Sequence, residues 1–168
     1  MRVSGTPFTA WIGLGANLGD ARAALAGAVQ SLAQLPGTRV VRVSSLYRTE
    51  AVDATVDDCP DYLNAVACLE TVLEPLALLR ALQAIELAAG RERPFRNAPR
   101  TLDLDVLAVD GVQLDTPELT LPHPRWQERA FVLQPWAEIA PERVTSQLLQ
   151  AVAGQRAERL VDPRPWWG

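Results

Sequence analysis

Residues 91–105 read Arg-Glu-Arg-Pro-Phe-Arg-Asn-Ala-Pro-Arg-Thr-Leu-Asp-Leu-Asp and concentrate more reactive side chains than any other stretch of the chain. Four arginines (Arg91, Arg93, Arg96 and Arg100) crowd a Gly/Pro-bounded loop that runs directly into Asp103 and Asp105. On a strand, a spacing of two puts both carboxylates on one face, with their Cα atoms roughly 6.6 Å apart. Leu102, Leu104 and Val106 then take the opposite, buried face. Aspartate is a poor strand former, so two on one face ask for a reason beyond local preference. Carboxylate oxygens suit hard divalent cations, and guanidiniums suit phosphate oxygens in forked hydrogen bonds. The pattern fits a site for a magnesium–polyphosphate complex.

Other residues add to this possibility with less force. His123 is the only histidine, locked between prolines in Leu121-Pro-His-Pro-Arg-Trp, with Arg129 and Phe131 close behind. A rigid loop presenting imidazole, guanidinium and an aromatic ring suits an anionic ligand that carries a flat heterocycle. Tyr62 and Asn64 share a strand face. Together they offer a stacking surface and an amide that can read the edge of a planar base, although on these residues alone an ordinary sheet edge is the better reading. Gln83 and Glu86 lie three apart on a helix near the start of the arginine loop, where helix surface is the default. Gly13-Leu-Gly15 with Gly19 imitates a dinucleotide fingerprint, but the spacing is one residue too long and no acidic residue ends a second strand. It reads as a tight strand-to-helix turn, with Asn17 bonding locally.

These residues need a scaffold, and the pattern along the chain supplies one. Phe8–Leu14 reads as a buried strand, and Asp20 as the N-cap of an Ala-rich helix over about 21–35 that Pro36-Gly37 ends. Thr38–Tyr47 has strand composition. A polar loop to Asp61 follows, then a strand over Tyr62–Val72. Pro75 opens an amphipathic helix over Pro75–Ala89 with Gly90 at its end. The carboxylate strand comes next, closed by Asp110-Gly111 as a hairpin turn to Val112-Gln-Leu. Short helices are expected around Phe131–Ile139 and Thr145–Val152, with residues 155–168 as a C-terminal tail whose Trp166-Trp167 pair docks on the body. The order β-α-β-β-α-β with helical additions predicts an α+β fold, a ferredoxin-like antiparallel sheet with helices packed on it. A doubly wound parallel sheet would need stricter alternation of strand and helix.

Composition narrows the classes. At 168 residues, the chain accommodates a single domain over 1–168 with a proper core. A net charge of −4 argues against nucleic acid as a partner, so the arginines matter locally. All 16 basic residues are arginine, which excludes a P-loop lysine, a kinase strand lysine and a Schiff base. Two cysteines make neither a disulfide framework nor a zinc motif. No apolar run approaches a membrane span. The expectation is a soluble, cytoplasmic, monomeric protein in a reducing compartment.

With these residues in view, the sequence resembles the 6-hydroxymethyl-7,8-dihydropterin pyrophosphokinases of folate synthesis from about Trp11 to Pro141. The resemblance is carried by Ile12-Gly-Leu-Gly-Ala-Asn-Leu-Gly-Asp20, Ser44-Ser-Leu-Tyr-Arg-Thr49, Pro60-Asp-Tyr-Leu-Asn64, Gly90-Arg91, Pro99-Arg-Thr-Leu-Asp-Leu-Asp105, Pro122-His123 and Arg129-Ala-Phe131. It implies a ferredoxin-like fold and transfer of pyrophosphate from ATP to the hydroxymethyl oxygen of the dihydropterin, releasing AMP. It implies that Asp103 and Asp105 hold two magnesium ions, and that Arg91 and Arg100 neutralise the phosphates. It places His123 and Arg129 against the phosphates from the other side. Asn64 would bond the pterin, Tyr62 and Phe131 would sandwich it, and Thr49 and Val52 would lend backbone groups. Gln83, Glu86, Val106 and Thr120 match positions on the ATP side. The chain departs from the family in a slightly short arginine loop, in Asn97-Ala98 where Trp-Gly often stands, and in Pro124 after the histidine. Loops 48–60 and 91–101 are expected to move and close over the substrates. Another magnesium-dependent phosphoryl or nucleotidyl transferase on this fold, and a non-catalytic binding module, are the alternatives.

Overall fold

Strand β1 (Phe8–Ala16) is an interior strand of a six-stranded antiparallel sheet, paired on both sides. The computed structural model describes residues 6–17, 21–49, 62–89, 102–160 and 165–167. The remaining elements follow as α1 (Ala21–Ala33), β2 (Thr38–Val43), β3 (Tyr47–Thr49), β4 (Tyr62–Thr71), α2 (Pro75–Ala89), β5 (Asp103–Val109), β6 (Leu114–Asp115), β7 (Thr120–Leu121), α3 (Ala130–Ile139), α4 (Ser146–Ala151) and β8 (Ala157–Arg159). The sheet order is β5-β1-β4-β3-β8, with β2 beside β3 on the same flank of β4. Counting β2 and β3 as one interrupted strand, this is the ferredoxin-like arrangement expected from the β-α-β-β-α-β order.

The sheet is buried on both faces. Ala10, Ile12 and Leu14 of β1, Ala65, Ala67 and Leu69 of β4, and Leu104 and Val106 of β5 meet α1 and α2 through Leu25, Leu32, Leu78 and Leu82. Each of those helix leucines is fully buried and contributes about 1.5–3 kcal/mol of transfer free energy. The alternate residues Trp11, Val66, Cys68 and Leu107 meet α3 through Val132, Leu133, Trp136 and Ile139. This second layer explains why β4 alternates only partly, since apolar residues are needed on both sides.

The structure corrects several expectations. The strand predicted over Thr38–Tyr47 breaks at Ser44–Leu46. There the Ser44 amide donates to the Val66 carbonyl and the Ser44 hydroxyl accepts from the Val66 amide, both at 2.9 Å. β1 runs two residues beyond the predicted Leu14, so that Gly15 lies in the strand with Gly13 rather than in the turn, while Gly19 and the predicted cap Asp20 fall outside the described residues. The chain turns at Asp110-Gly111, with Gly111 at φ 77°, but the next strand does not pair with β5. Asp110 is held back by its amide on the Thr9 carbonyl and by Trp11 Nε1 and Arg143 on its carboxylate. β6 pairs with β7 instead.

The predicted tail over 155–168 contains a sheet strand. β8 pairs with β3 from Tyr47 opposite Arg159 to Thr49 opposite Ala157. Trp166 docks as expected. It is 7% exposed, and its indole N–H donates to the Ser44 carbonyl at 2.8 Å, over the strand break.

Candidate active site

The floor of the site follows from register. Gly13 of β1 stands opposite Asp105 of β5, and Gly15 opposite Asp103. Gly15 also faces Asn64 on β4, and Asn64 faces Tyr47 on β3. One row across the sheet therefore runs Asp103, Gly15, Asn64, Tyr47. Two strand spacings put the Asp103 and Asn64 backbones roughly 10 Å apart, with a strip free of side chains between them. The space at Gly15 is committed: a Cβ there would sit 2.8 Å from Asn64 Oδ1. At Gly13 a Cβ would meet Leu107 Cδ2 at 3.3 Å.

Asn64 and Thr49 form the far wall. Asn64 Nδ2 donates to Thr49 Oγ1 at 2.6 Å, and both residues are buried. That bond fixes the amide plane and leaves Oδ1 over Gly15, as an acceptor toward the cleft.

Asp103 is exposed and Asp105 half-buried on β5, and both line the cleft with Asn64, Arg129 and Phe131. As predicted, Leu102, Leu104 and Val106 are buried on the opposite face. A bulge interrupts the ladder: Ile12 pairs with Val106 and Trp11 with Ala108, so Leu107 is the extra residue. Such bulges re-aim side chains beside sites, and here Leu107 lines the cleft below the carboxylates.

β5 is an edge strand, and two of its outward backbone groups are taken. The Leu104 amide donates to Glu86 Oε2 and the His123 amide donates to the Leu107 carbonyl, each at 2.8 Å. Glu86, predicted on the nucleotide side, thus grips the carboxylate strand from α2. His123 Nδ1 accepts from the Arg125 amide at 3.1 Å, leaving Nε2 to carry the proton of the neutral ring. Burial, then the Arg129 and Arg125 guanidiniums, hold the imidazole below its ordinary pKa of 6.5.

Arg129 is the N-cap of α3, in extended conformation, and its guanidinium carbon lies 5.3 Å from the centre of the Phe131 ring. Helix α3 is fastened to the strand break by Glu138. Its carboxylate accepts from the Ser45 amide and hydroxyl at 3.0 Å and from Tyr47 Oη at 2.9 Å. Burial and the Glu138 carboxylate drive the Tyr47 phenol strongly upward in pKa.

The structure brings Asp103, Asp105, Asn64, Arg129 and Phe131 into one cleft. Tyr62 sits on the Asn64 face of β4, opposite Thr49. Around the outer edge of β5 are Glu86, His123 and Thr120 of β7. Gln83 is exposed on α2, with its Oε1 accepting from Arg80 at 3.2 Å. Val106 buries its side chain in the helix-side core, leaving only its backbone for a ligand. Arg91, Arg100 and Val52 lie outside the described residues, as do Arg93, Phe95 and Asn97 and nearly all of loops 48–60 and 91–101. Sequence reasoning passed over Gly13, Gly15, Leu107 and Val132. The glycines did carry a signal, because they repeat at the same spacing of two as the aspartates they face.

The donor set fits magnesium. Among the described residues no group of three or more His, Cys, Asp or Glu could hold a metal, but a pair of carboxylates suffices for an ion that keeps several waters and completes its shell with substrate phosphates.

A ferredoxin-like sheet that sets two carboxylates and a cation–aromatic pair around a glycine-floored cleft places the chain with phosphoryl-transfer enzymes. Residues 11–141 match the family model for 7,8-dihydro-6-hydroxymethylpterin-pyrophosphokinase. A 2-amino-4-hydroxy-6-hydroxymethyldihydropteridine pyrophosphokinase of Methylorubrum extorquens is 50% identical over 135 residues, covering 80% of this chain and 84% of the relative. One from Pseudomonas aeruginosa is 44% identical over 156 residues, covering 89% and 95%. Among solved structures, a Plasmodium falciparum HPPK-DHPS with pterin and p-hydroxybenzoate superposes with a TM-score of 0.64 at 15% identity, over 88% of this chain and 43% of that one. At that identity the match speaks for the fold, and this chain spans less than half of the longer protein. The chain belongs to the pyrophosphokinase family and is a diphosphotransferase.

Proposed function

We propose that this chain catalyses magnesium-dependent transfer of pyrophosphate from ATP to 6-hydroxymethyl-7,8-dihydropterin, giving AMP and the pterin diphosphate, in folate synthesis. The observation that carries the reading is the row Asp103–Gly15–Asn64. It puts acidic oxygens at one end of a side-chain-free strip and a fixed carbonyl acceptor at the other. A polyphosphate and a flat heterocycle need those two ends.

The pterin ring lies between Tyr62 and Phe131. Asn64 Oδ1 accepts from an N–H of the ring, and the backbone at Thr49 and Val52 reads the remaining edge. The hydroxymethyl oxygen attacks the β-phosphorus, the bond from β-phosphorus to the α–β bridging oxygen breaks, and AMP leaves with that oxygen. The hydroxyl proton passes to water or to a phosphate oxygen. Little covalent work falls to the protein in such a transfer, so positioning and charge dominate. Arg129, Arg91 and Arg100 hold phosphate oxygens, and His123 donates from Nε2. Gln83, Thr120 and the Val106 backbone serve the nucleoside side, and Glu86 steadies β5. Two magnesium ions bound by Asp103 and Asp105 would supply charge neutralisation at the phosphates.

The reading extends to a single domain acting as a cytoplasmic monomer on small-molecule substrates. Among the described residues no helix is long and apolar enough to cross a membrane. The test is an assay with ATP, magnesium and 6-hydroxymethyl-7,8-dihydropterin that resolves the nucleotide products. AMP and a diphosphorylated pterin in equal amounts are expected. ADP as product, or turnover unchanged by a chelator, refutes it.

A further inference from the structure

Gln155 lies beyond the residues that match the family model, on the exposed turn between α4 and β8. Its carboxamide makes two bonds to one short piece of backbone. Nε2 donates to the Glu128 carbonyl at 2.8 Å, and Oε1 accepts from the Ala130 amide at 2.9 Å. Glu128 and Ala130 flank Arg129. The turn that presents Gln155 is itself closed by its amide on the Val152 carbonyl at 2.9 Å.

Arg129 needs holding from outside. It is the N-cap of α3 at φ −125° and ψ 112°, with no side-chain cap bond, and the Ala130 amide is one of the donors that a helix start leaves unpaired. Its own carbonyl already serves Val132 and Leu133. A carboxamide carries a donor and an acceptor in one plane, so it can lock both peptide groups around a residue at once. With a guanidinium roughly 6 Å from the backbone, a 10° backbone rotation moves the charge by about 1 Å. A displacement of that size is enough to cost a positioned catalytic group much of its effect.

We propose that Gln155 is a positioning residue for Arg129, fixing from the C-terminal segment the angle at which the guanidinium enters the cleft. The proposal rests on the reading that Arg129 engages the phosphates. A purely structural role, as a cap on α3, would lower stability to the same extent and leave the kinetics of the folded protein unchanged.

The test is a double-mutant cycle in the full chain with Gln155→Ala, Arg129→Ala and both, followed by steady-state kinetics and thermal melts. Gln155→Ala is expected to lower kcat/KM for ATP about tenfold, with a fall in melting temperature of only a few degrees from the two lost bonds. In the Arg129→Ala background the same change should cost less than twofold, since nothing remains to be positioned. Wild-type kinetics for Gln155→Ala, or an equal loss in both backgrounds, overturns the proposal while leaving the site reading intact. Wild-type kinetics for Arg129→Ala overturns that reading, and the proposal with it. Should the alanine variant not fold, Gln155→Glu, which keeps the acceptor and loses the donor, serves in the same cycle.

Discussion

Replacing Gly15 with alanine tests the row on which the site is built. The new methyl group would sit 2.8 Å from Asn64 Oδ1, about 0.6 Å inside the 3.4 Å at which ordinary contact begins. Elsewhere a flexible side chain would swing away at little cost. Asn64 cannot, because its Nδ2 is bonded to Thr49 Oγ1 at 2.6 Å and the residue is buried at 6% exposure. Yielding therefore means stretching or losing that bond, at about 1 kcal/mol, or pressing on the β4 backbone for a similar amount. For a chain of 168 residues this corresponds to a fall in Tm of roughly 2–4 °C. The functional cost should be larger. An amide displaced by about half an ångström no longer meets a ring N–H, so KM for the pterin should rise about tenfold or more. Magnesium-dependent ATP binding, made on the other side of β1, should stay within twofold. Gly13→Ala is the control, because its methyl meets only the end of the Leu107 side chain, at 3.3 Å. Calorimetry with a non-hydrolysable ATP analogue and steady-state kinetics in the pterin measure the two arms. A folded Gly15→Ala variant with wild-type pterin KM would refute the reading of Asn64 as the group that recognises the ring.

Three further outcomes are expected. Asp103→Asn and Asp105→Asn should each lower kcat by about 10²-fold or more with little loss of stability, measured by AMP release and thermal melts; near-normal turnover in both would remove the metal assignment. As the only histidine, His123 gives a single imidazole signal in NMR. Its pKa should lie below 6.5 in the free protein, from burial and then the Arg129 and Arg125 charges, and should rise when ATP brings phosphates against it. The unfolded chain then binds more protons than the folded one just below pH 6.5, so His123 lowers stability as pH falls through that range. An unshifted signal that ignores ATP contradicts the placement. Finally, Trp166→Ala removes a buried ring and its bond to Ser44. It should cost about 3–5 kcal/mol of stability in denaturant titrations, with the activity of the folded fraction kept.

The parts of this protein that alternate or cap themselves were legible in the chain, and those set by contact across the sheet were not. The Leu102–Val106 alternation needed no partner to be read, and α2 runs from Pro75 to Ala89 as predicted. Glycines in sequence suggest turns, because local propensity knows nothing of the strand beside them. Gly15 is in a strand because β4 and β5 pair with it on either side, and it is glycine because Asn64 occupies the space a side chain would need. β8 has only three residues, Ala157-Glu-Arg, too few and too polar to show a period. It is a strand because β3 offers it an open edge. In the same way, Glu86 looked like helix surface until its bond to the Leu104 amide was seen, and no spacing rule connects Gln155 to Arg129 across 26 residues.

The carboxylates stand on an edge strand, and that placement has a consequence for catalysis. Unpaired backbone along such an edge invites association with other chains. Here Glu86 takes the Leu104 amide and the His123 amide takes the Leu107 carbonyl. The bonds that protect the edge therefore also fix where Glu86 and His123 sit relative to Asp103 and Asp105. The His123 backbone cannot leave without exposing a strand carbonyl, and the ring is held in turn by the Arg125 amide on its Nδ1. A reaction that depends on positioning more than on covalent chemistry benefits from that rigidity, because this edge of the site is set on folding.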